Sequence, residues 1–243
     1  MGAAKYYAAY EDRYRRVYAQ GVEYWTGDPD EIGGVVRCVD EFLDRIGARA
    51  SSSAVVEFGC GEGFLGAHLL SKGFGYLGVD LSPSAIAKAQ RRVCGNEACF
   101  VCGDVTDLGE VVASGSFDIG LDNYCLHMLV TDEDRRKYLS EMRRVLKPGG
   151  FAWFHEIGQD KRFEGPVASV GDFVSAEGID LDTCEPREAY TPAGRKTVYL
   201  PRLPARFNSG EGYGAELSEA GFCVEYLEVR KSGVVMHAKR LEE

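Results

Sequence analysis

The sequence predicts an α/β fold: a doubly wound sheet, mostly parallel, closed by an antiparallel hairpin near its C-terminal end. Three observations carry this. Short, nearly all-apolar runs alternate with helical patterns through the middle of the chain, as in a sheet covered on both faces. Two more strand-like runs follow each other near the end, separated only by "KSG". Between these regions the alternation stops, over residues 158–209.

Taken in order, Tyr7, Tyr10, Tyr14 and Tyr18 recur at spacings of three and four and share one helix face. That face packs on the sheet domain as core, or it joins Trp25 in covering a ligand site, and both can hold at once. Residues 1–50 are read as an N-terminal helical lid. "SAVVEF" (53–58) is the first strand, and "EGFLGAHLLSKG" is a helix closed by Gly73. "GYLGVD" (75–80) is the second strand. "SPSAIAKAQRRV" is a helix with Ser82 as N-cap and Pro83 in its first turn. "ACFVCGD" (98–104) and "SFDIGLDN" (116–123) are the third and fourth strands. An amphipathic helix capped at Thr131 and stopped by "KPGG" precedes the fifth, "GFAWFHEI" (150–157). Residues 51–157 thus form a ligand-binding core.

Residues 158–209 are too long for an ordinary connection and are read as an inserted lid or substrate-binding cap. The remaining segment, 210–240, supplies a helix starting at Ser209 and the strands "FCVEYLEVR" and "GVVMHAK". The expected sheet has seven strands.

Composition narrows the function. A net charge of -10 over 243 residues, with no local basic patch, argues against nucleic acid and anionic membranes as partners. The eight cysteines read as small buried hydrophobes, and no metal site is expected. The one CxxC, Cys99 to Cys102, falls in a strand that would turn its thiols apart. No disulfide framework or export signal is read, and no apolar run approaches the ~20 residues of a membrane helix. A reducing, cytoplasmic setting is expected.

The chemistry begins at "VVEFGCGEGFLG" (55–66). A strand ending in glycines and turning into a helix presents backbone N–H groups to a ligand. "GEGFLG" satisfies the dinucleotide pattern GxGxxG, a weak signal by itself. Glu57, two residues before Gly59, is poorly placed for a pyrophosphate, because like charges repel. It suits a ligand with an ammonium group. Asp80 ends the second strand and can accept from both hydroxyls of a ribose. Asp104 ends the third and can accept from an adenine amine, with Val105 offering its backbone N–H.

"VVEFGCGEG", "LGVDLSPSAI", "GDVTDL", "FDIGLDN" and "RVLKPGGFAWF" resemble the ordered motifs of class I S-adenosylmethionine-dependent methyltransferases, across roughly residues 52–157. The resemblance implies a Rossmann-like sheet and S-adenosylmethionine as cofactor, converted to S-adenosylhomocysteine. It implies that Glu57, Gly59, Gly61 and Gly63 hold the methionine moiety, Asp80 the ribose and Asp104 the adenine. Cys60, Leu81, Val105, Asp122, Tyr14 and Trp25 complete the expected cofactor site.

The acceptor is read after the fourth strand. "DNYC" (122–125) lacks the prolines of the Asn/Asp-Pro-Pro-aromatic tetrapeptide found in methyltransferases of bases and amides. The longer run from Asp122 to Gly150 resembles small-molecule methyltransferases, including thiol and halide types. A small-molecule acceptor with an O, N or S nucleophile is expected, attacked in line, on a monomer or homodimer. A base is needed only where the acceptor arrives protonated, and His127, Asp122 and the pair His155–Glu156 at the end of the fifth strand are the candidates. Arg195, Arg202, Arg206, Phe163, Phe173, Tyr190 and Tyr199 are available in the insertion for a small anionic or aromatic acceptor. A peptide methyltransferase, an NAD-dependent oxidoreductase and a non-catalytic S-adenosylmethionine-binding module remain the alternatives.

Overall fold

The computed structural model describes residues 5–25, 28–93, 95, 99–109, 111–191, 193–231 and 233–242. Cys94 lies outside them. A 3₁₀ turn, Tyr6–Ala8, runs into α1 (Ala9–Ala19), and α2 spans Pro29–Arg45. There follow β1 (Ala54–Phe58), α3 (Phe64–Ser71), β2 (Gly75–Asp80), α4 (Pro83–Arg92), β3 (Phe100–Cys102), β4 (Phe117–Asn123), α5 (Asp132–Val145) and β5 (Leu146–Glu156). The insertion holds α6 (Val170–Ala176), β6 (Cys184–Thr191) and β7 (Gly194–Pro201). The chain ends with α7 (Gly210–Glu219), β8 (Phe222–Arg230) and β9 (Gly233–Arg240).

Seven strands form one sheet in the order β3-β2-β1-β4-β5-β9-β8. The first five are parallel, and β9 and β8 join antiparallel. Alternate residues of each strand feed opposite layers. Val55, Ile119, Leu121 and Trp153 pack against α2, α3 and α4. Val56, Phe58, Ala152 and Phe154 pack against α5 and α7. Caps follow sequence: Ser82, Thr131 and Ser209 each accept a backbone N–H at the start of their helices.

Three expectations need correction. The segment 1–50 is not all lid: Val35, Val39, Phe42 and Leu43 of α2 lie in the main core beside Trp153. "KPGG" does not separate helix from strand, because α5 stops at Val145 and β5 begins at once, at Leu146. The cysteines are not uniformly buried. Cys60 and Cys125 are, but Cys102, Cys184 and Cys223 are exposed. Cys102 ends the edge strand β3, which leaves one of its flanks uncovered.

The insertion is better ordered than its sequence suggests. β6 and β7 form a separate two-stranded sheet. Its apolar side, Ala189, Val198 and Leu200, packs on Val17 and Val22 of the N-terminal segment. Among the described residues, no helix is long and apolar enough to cross a membrane.

Candidate active site

The strand order reverses between β1 and β4, and a crevice opens beyond their carboxyl ends. A cavity of about 920 Å³ occupies it. Its floor is the loop after β1. Gly59 and Gly61 have φ of 71° and 51°, a left-handed backbone that suits glycine. Space demands glycine there as well. A Cβ on Gly59 would lie 2.5 Å from Cys125 Sγ, and one on Gly61 would lie 2.8 Å from Tyr14 Oη. Gly63 serves packing instead. Its added Cβ would strike Ala89 and Phe100, and it is absent from the cavity wall.

Asp80 is fixed by two backbone donors, Gly61 N–H to Oδ2 and Ser82 N–H to Oδ1, both at 2.8 Å. Each oxygen keeps a lone pair for a ligand. Burial pushes this carboxyl up to about 6, against the pull of those two donors. A bare backbone loop beside a carboxylate held for a diol fits the ribose and methionine ends of S-adenosylmethionine. Cys60, Leu81 and Val105 also line the cavity.

Glu57 lies at the bottom of the cavity and is nearly fully buried. Its Oε2 accepts from the Tyr76 hydroxyl. Burial pushes it up to about 8, so without a cation beside it the side chain is mostly neutral at pH 7. Asp104 reaches the cavity too, already engaged. Lys5 Nζ stands 2.7 Å from Oδ2, and Oδ1 accepts from the Thr106 N–H and hydroxyl at 2.9 and 2.7 Å. These partners hold Asp104 below the usual carboxylate range despite burial.

The roof is built by α1 and the β6–β7 sheet. Tyr14 and Trp25 line the cavity and meet edge to face at 5.5 Å. Glu62, a residue unassigned in sequence, anchors this roof to the loop. Its Oε1 accepts from the Tyr18 hydroxyl at 2.9 Å and from Trp25 N–H at 2.7 Å. Arg13, equally unassigned, is buried and donates to Pro201 O and to Glu185 Oε1, both at 3.0 Å. Of the insertion residues suggested for the acceptor, Arg202 lines the cavity. The others do not: Arg206 pairs with Asp132, Arg195 with Asp28, Phe163 packs on Phe173, and Tyr190 and Tyr199 face solvent.

Beyond β4 the three proposed bases part company. Asp122 is 0% exposed and does not reach the cavity, which corrects both roles expected of it. Its carboxyl caps a 3₁₀ turn, Leu126–Met128, by accepting from Cys125 and Leu126 N–H and from the Tyr138 hydroxyl. Burial, then the neighbouring Glu156, push it well above the carboxylate range. His155 is not on the wall either. Its Nε2 meets the Tyr124 hydroxyl at 3.0 Å and its Nδ1 meets Asn123 Oδ1 at 3.2 Å. It supports Tyr124, whose φ of 63° is the one left-handed non-glycine backbone among the described residues.

His127 does line the cavity. Its Nδ1 lies 2.6 Å from Glu156 Oε2. Glu156 also accepts from Leu126 N–H at 2.7 Å and His127 N–H at 3.3 Å. Burial drives the imidazole down and the Glu156 carboxyl up, so the pair resists carrying separate charges. An ionised Glu156 can only accept, and in that form of the pair the hydrogen sits on Nδ1 and the lone pair on Nε2.

Residues 55–150 match a family model described as a methyltransferase domain. The chain is 31% identical over 187 residues to a probable phthiotriol/phenolphthiotriol dimycocerosates methyltransferase of Mycobacterium ulcerans, covering 72% of this chain and 68% of that one. The chain belongs to the S-adenosylmethionine-dependent methyltransferases. Its cofactor is therefore S-adenosylmethionine, and the oxidoreductase reading of "GEGFLG" falls away. This methyltransferase is also 26% identical over 209 residues to an uncharacterised methyltransferase of Schizosaccharomyces pombe, covering 85% of this chain and 73% of the relative. In fold it is similar to the 1,6-didemethyltoxoflavin N1-methyltransferase of Burkholderia thailandensis, solved with its substrate and S-adenosylhomocysteine. The TM-score is 0.64 at 21% identity, over 100% of this chain and 93% of that one.

Proposed function

We propose that this methyltransferase acts on a small-molecule acceptor whose O, N or S nucleophile arrives protonated, and that His127 takes the proton. The observation that carries this reading is the placement of His127. It sits on the wall of a roofed cavity, with Nδ1 committed to Glu156 and Nε2 left for a ligand. The roof favours a small acceptor over a peptide, since side chains of α1 and β6 stand over the crevice and narrow the space a chain would need.

When bound, S-adenosylmethionine supplies an electrophilic methyl group on a sulfonium, which needs alignment more than activation. Asp80 would hold its ribose hydroxyls, Glu57 and the glycine loop its methionine end, and Asp104 with Val105 its adenine. An ammonium placed beside Glu57 would offset the cost of its charge and lower its pKa. Leu129, Met128 and Phe207 line the cavity near His127 and would keep water from the transfer. The name of one relative agrees with this scale of acceptor. It is a glycine/sarcosine/dimethylglycine N-methyltransferase of Actinopolyspora halophila, 30% identical over 210 residues, covering 80% of this chain and 36% of the relative.

The test is transfer of isotope-labelled methyl to pooled thiols, phenols, amines, carboxylates and halide, with Asp80→Ala as control. Label entering one pool and lost in the control supports the reading. Label entering a peptide pool alone would overturn the small-molecule acceptor. Activity unchanged in His127→Gln would overturn the base.

A further inference from the structure

The turn that carries His127 is held from behind by one buried cation. Arg135, on α5, is 3% exposed. Its Nη1 donates to the carbonyls of Leu126 at 2.8 Å and Leu129 at 3.0 Å, one on each side of His127. Its other face is locked by Glu216 of α7, through Nε at 3.2 Å and Nη2 at 2.5 Å. The turn therefore sits between opposite charges. Its carbonyls face the guanidinium, and its Leu126 and His127 N–H groups face Glu156.

We propose that Arg135 is a positioning residue for methyl transfer, holding the 3₁₀ turn so that Glu156 keeps the His127 imidazole in the Nδ1–H form with Nε2 open to the cavity. The proposal rests on the reading of His127 as the base. The physics is that of a base oriented by a second group which is itself held by a third. Arg135 acts in two ways. Its hydrogen bonds fix where the turn lies. Its charge favours an ionised Glu156, the form that can only accept. Glu216 is what allows a guanidinium to be buried there, because an unpaired one would cost far more than the pair. The charged or titratable groups at this turn include Glu156 from β5, Asp122 from β4, Arg135 and Tyr138 from α5, and Glu216 and Tyr213 from α7. Tyr124 packs on the His127 ring, Tyr6 accepts from Val130 N–H, and Arg206 donates its backbone N–H to His127 O and its Nη1 to Val130 O.

The chain has four histidines, so nitrogen-15 spectra of the imidazoles are tractable, and His127→Gln assigns the signals. The spectra are recorded on the full chain with S-adenosylhomocysteine bound. We expect a single Nδ1–H tautomer at His127 in the parent protein. Arg135→Gln should give a mixture of tautomers and a shifted His127 titration, while Arg135→Lys, which keeps the charge, should recover part of the parent signal. Glu216→Gln should move the spectrum in the same direction and is the milder variant if Arg135→Gln fails to fold. S-adenosylhomocysteine affinity should stay within about twofold of the parent, because Arg135 does not line the cavity. An unchanged His127 tautomer and titration in both Arg135→Gln and Glu216→Gln would overturn the proposal. Its failure is distinct from failure of the base reading, which the activity of His127→Gln decides.

Discussion

The floor and the roof of the cavity are held by different kinds of bond. The floor is local and made largely of backbone. Gly59, Gly61 and Asp80 sit at the ends of adjacent parallel strands, and Asp80 is tied to main-chain donors of the very loops it joins. The roof is made of side chains distant in sequence, such as Arg13 reaching Glu185 and Tyr18 reaching Glu62. A floor of this kind fixes one cofactor in one place. A roof of that kind leaves the acceptor to whichever side chains α1 and the hairpin supply.

The strongest way to separate acceptor chemistry from cofactor binding is His127→Gln. We expect kcat to fall roughly 10²–10⁴-fold, the span of a lost general base, with S-adenosylmethionine affinity unchanged by calorimetry. A parallel loss of affinity would place His127 among the residues that hold the cofactor.

Next in size is the floor itself. Asp80→Ala should weaken S-adenosylmethionine binding by about 3 kcal/mol, from two hydrogen bonds to a charged acceptor. The pH dependence has a definite sign. In the proposed role the ionised form would bind the ribose, and burial pushes this carboxyl up to about 6. Affinity should therefore be highest above pH 6 and decline as pH falls through it. Asp80→Asn should flatten that decline in titrations from pH 5 to 7.

Gly61→Ala tests the point where floor meets roof. Its φ of 51° and the Tyr14 hydroxyl both oppose a side chain. A loss of about 1–3 kcal/mol in cofactor affinity is expected. Adding Tyr14→Ala should cost less than the separate losses sum to, because the clash is gone. Strict additivity would mean that Tyr14 does not press on the loop. The smallest effect belongs to the roof. Glu185→Gln should cost less than about 1 kcal/mol of stability, as for a partly exposed ion pair, while changing the acceptor KM.

The same contrast explains what the sequence disclosed. Strands β1, β2 and β4 are covered on both faces, so they appear as apolar runs with sharp ends, and the residues just past those ends were readable as a site. β6 and β7 bury only Ala189, Val198 and Leu200 among charged residues and two prolines, a pattern too sparse to register. His127 could be found by its place after β4. Glu156 was readable as a candidate at the end of the fifth strand, but not as the partner of His127, because the two come within reach only through the pairing of Asn123 with His155 across β4 and β5. Asp122 was misassigned for a similar reason. A carboxylate at a strand end can face ligand or chain, and the turn that claims it is set by packing on Tyr138.

The clasp at Arg13 also orders events in synthesis. α1 leaves the ribosome well before its anchors at Glu185 and Pro201, which lie 172 and 188 residues downstream. The glycine loop and Asp80 can meet as soon as β1 and β2 pair, before the hairpin has been made. The nascent protein thus acquires an open cofactor shelf first, and α1 waits, its apolar Val17 uncovered, until the hairpin arrives to close it.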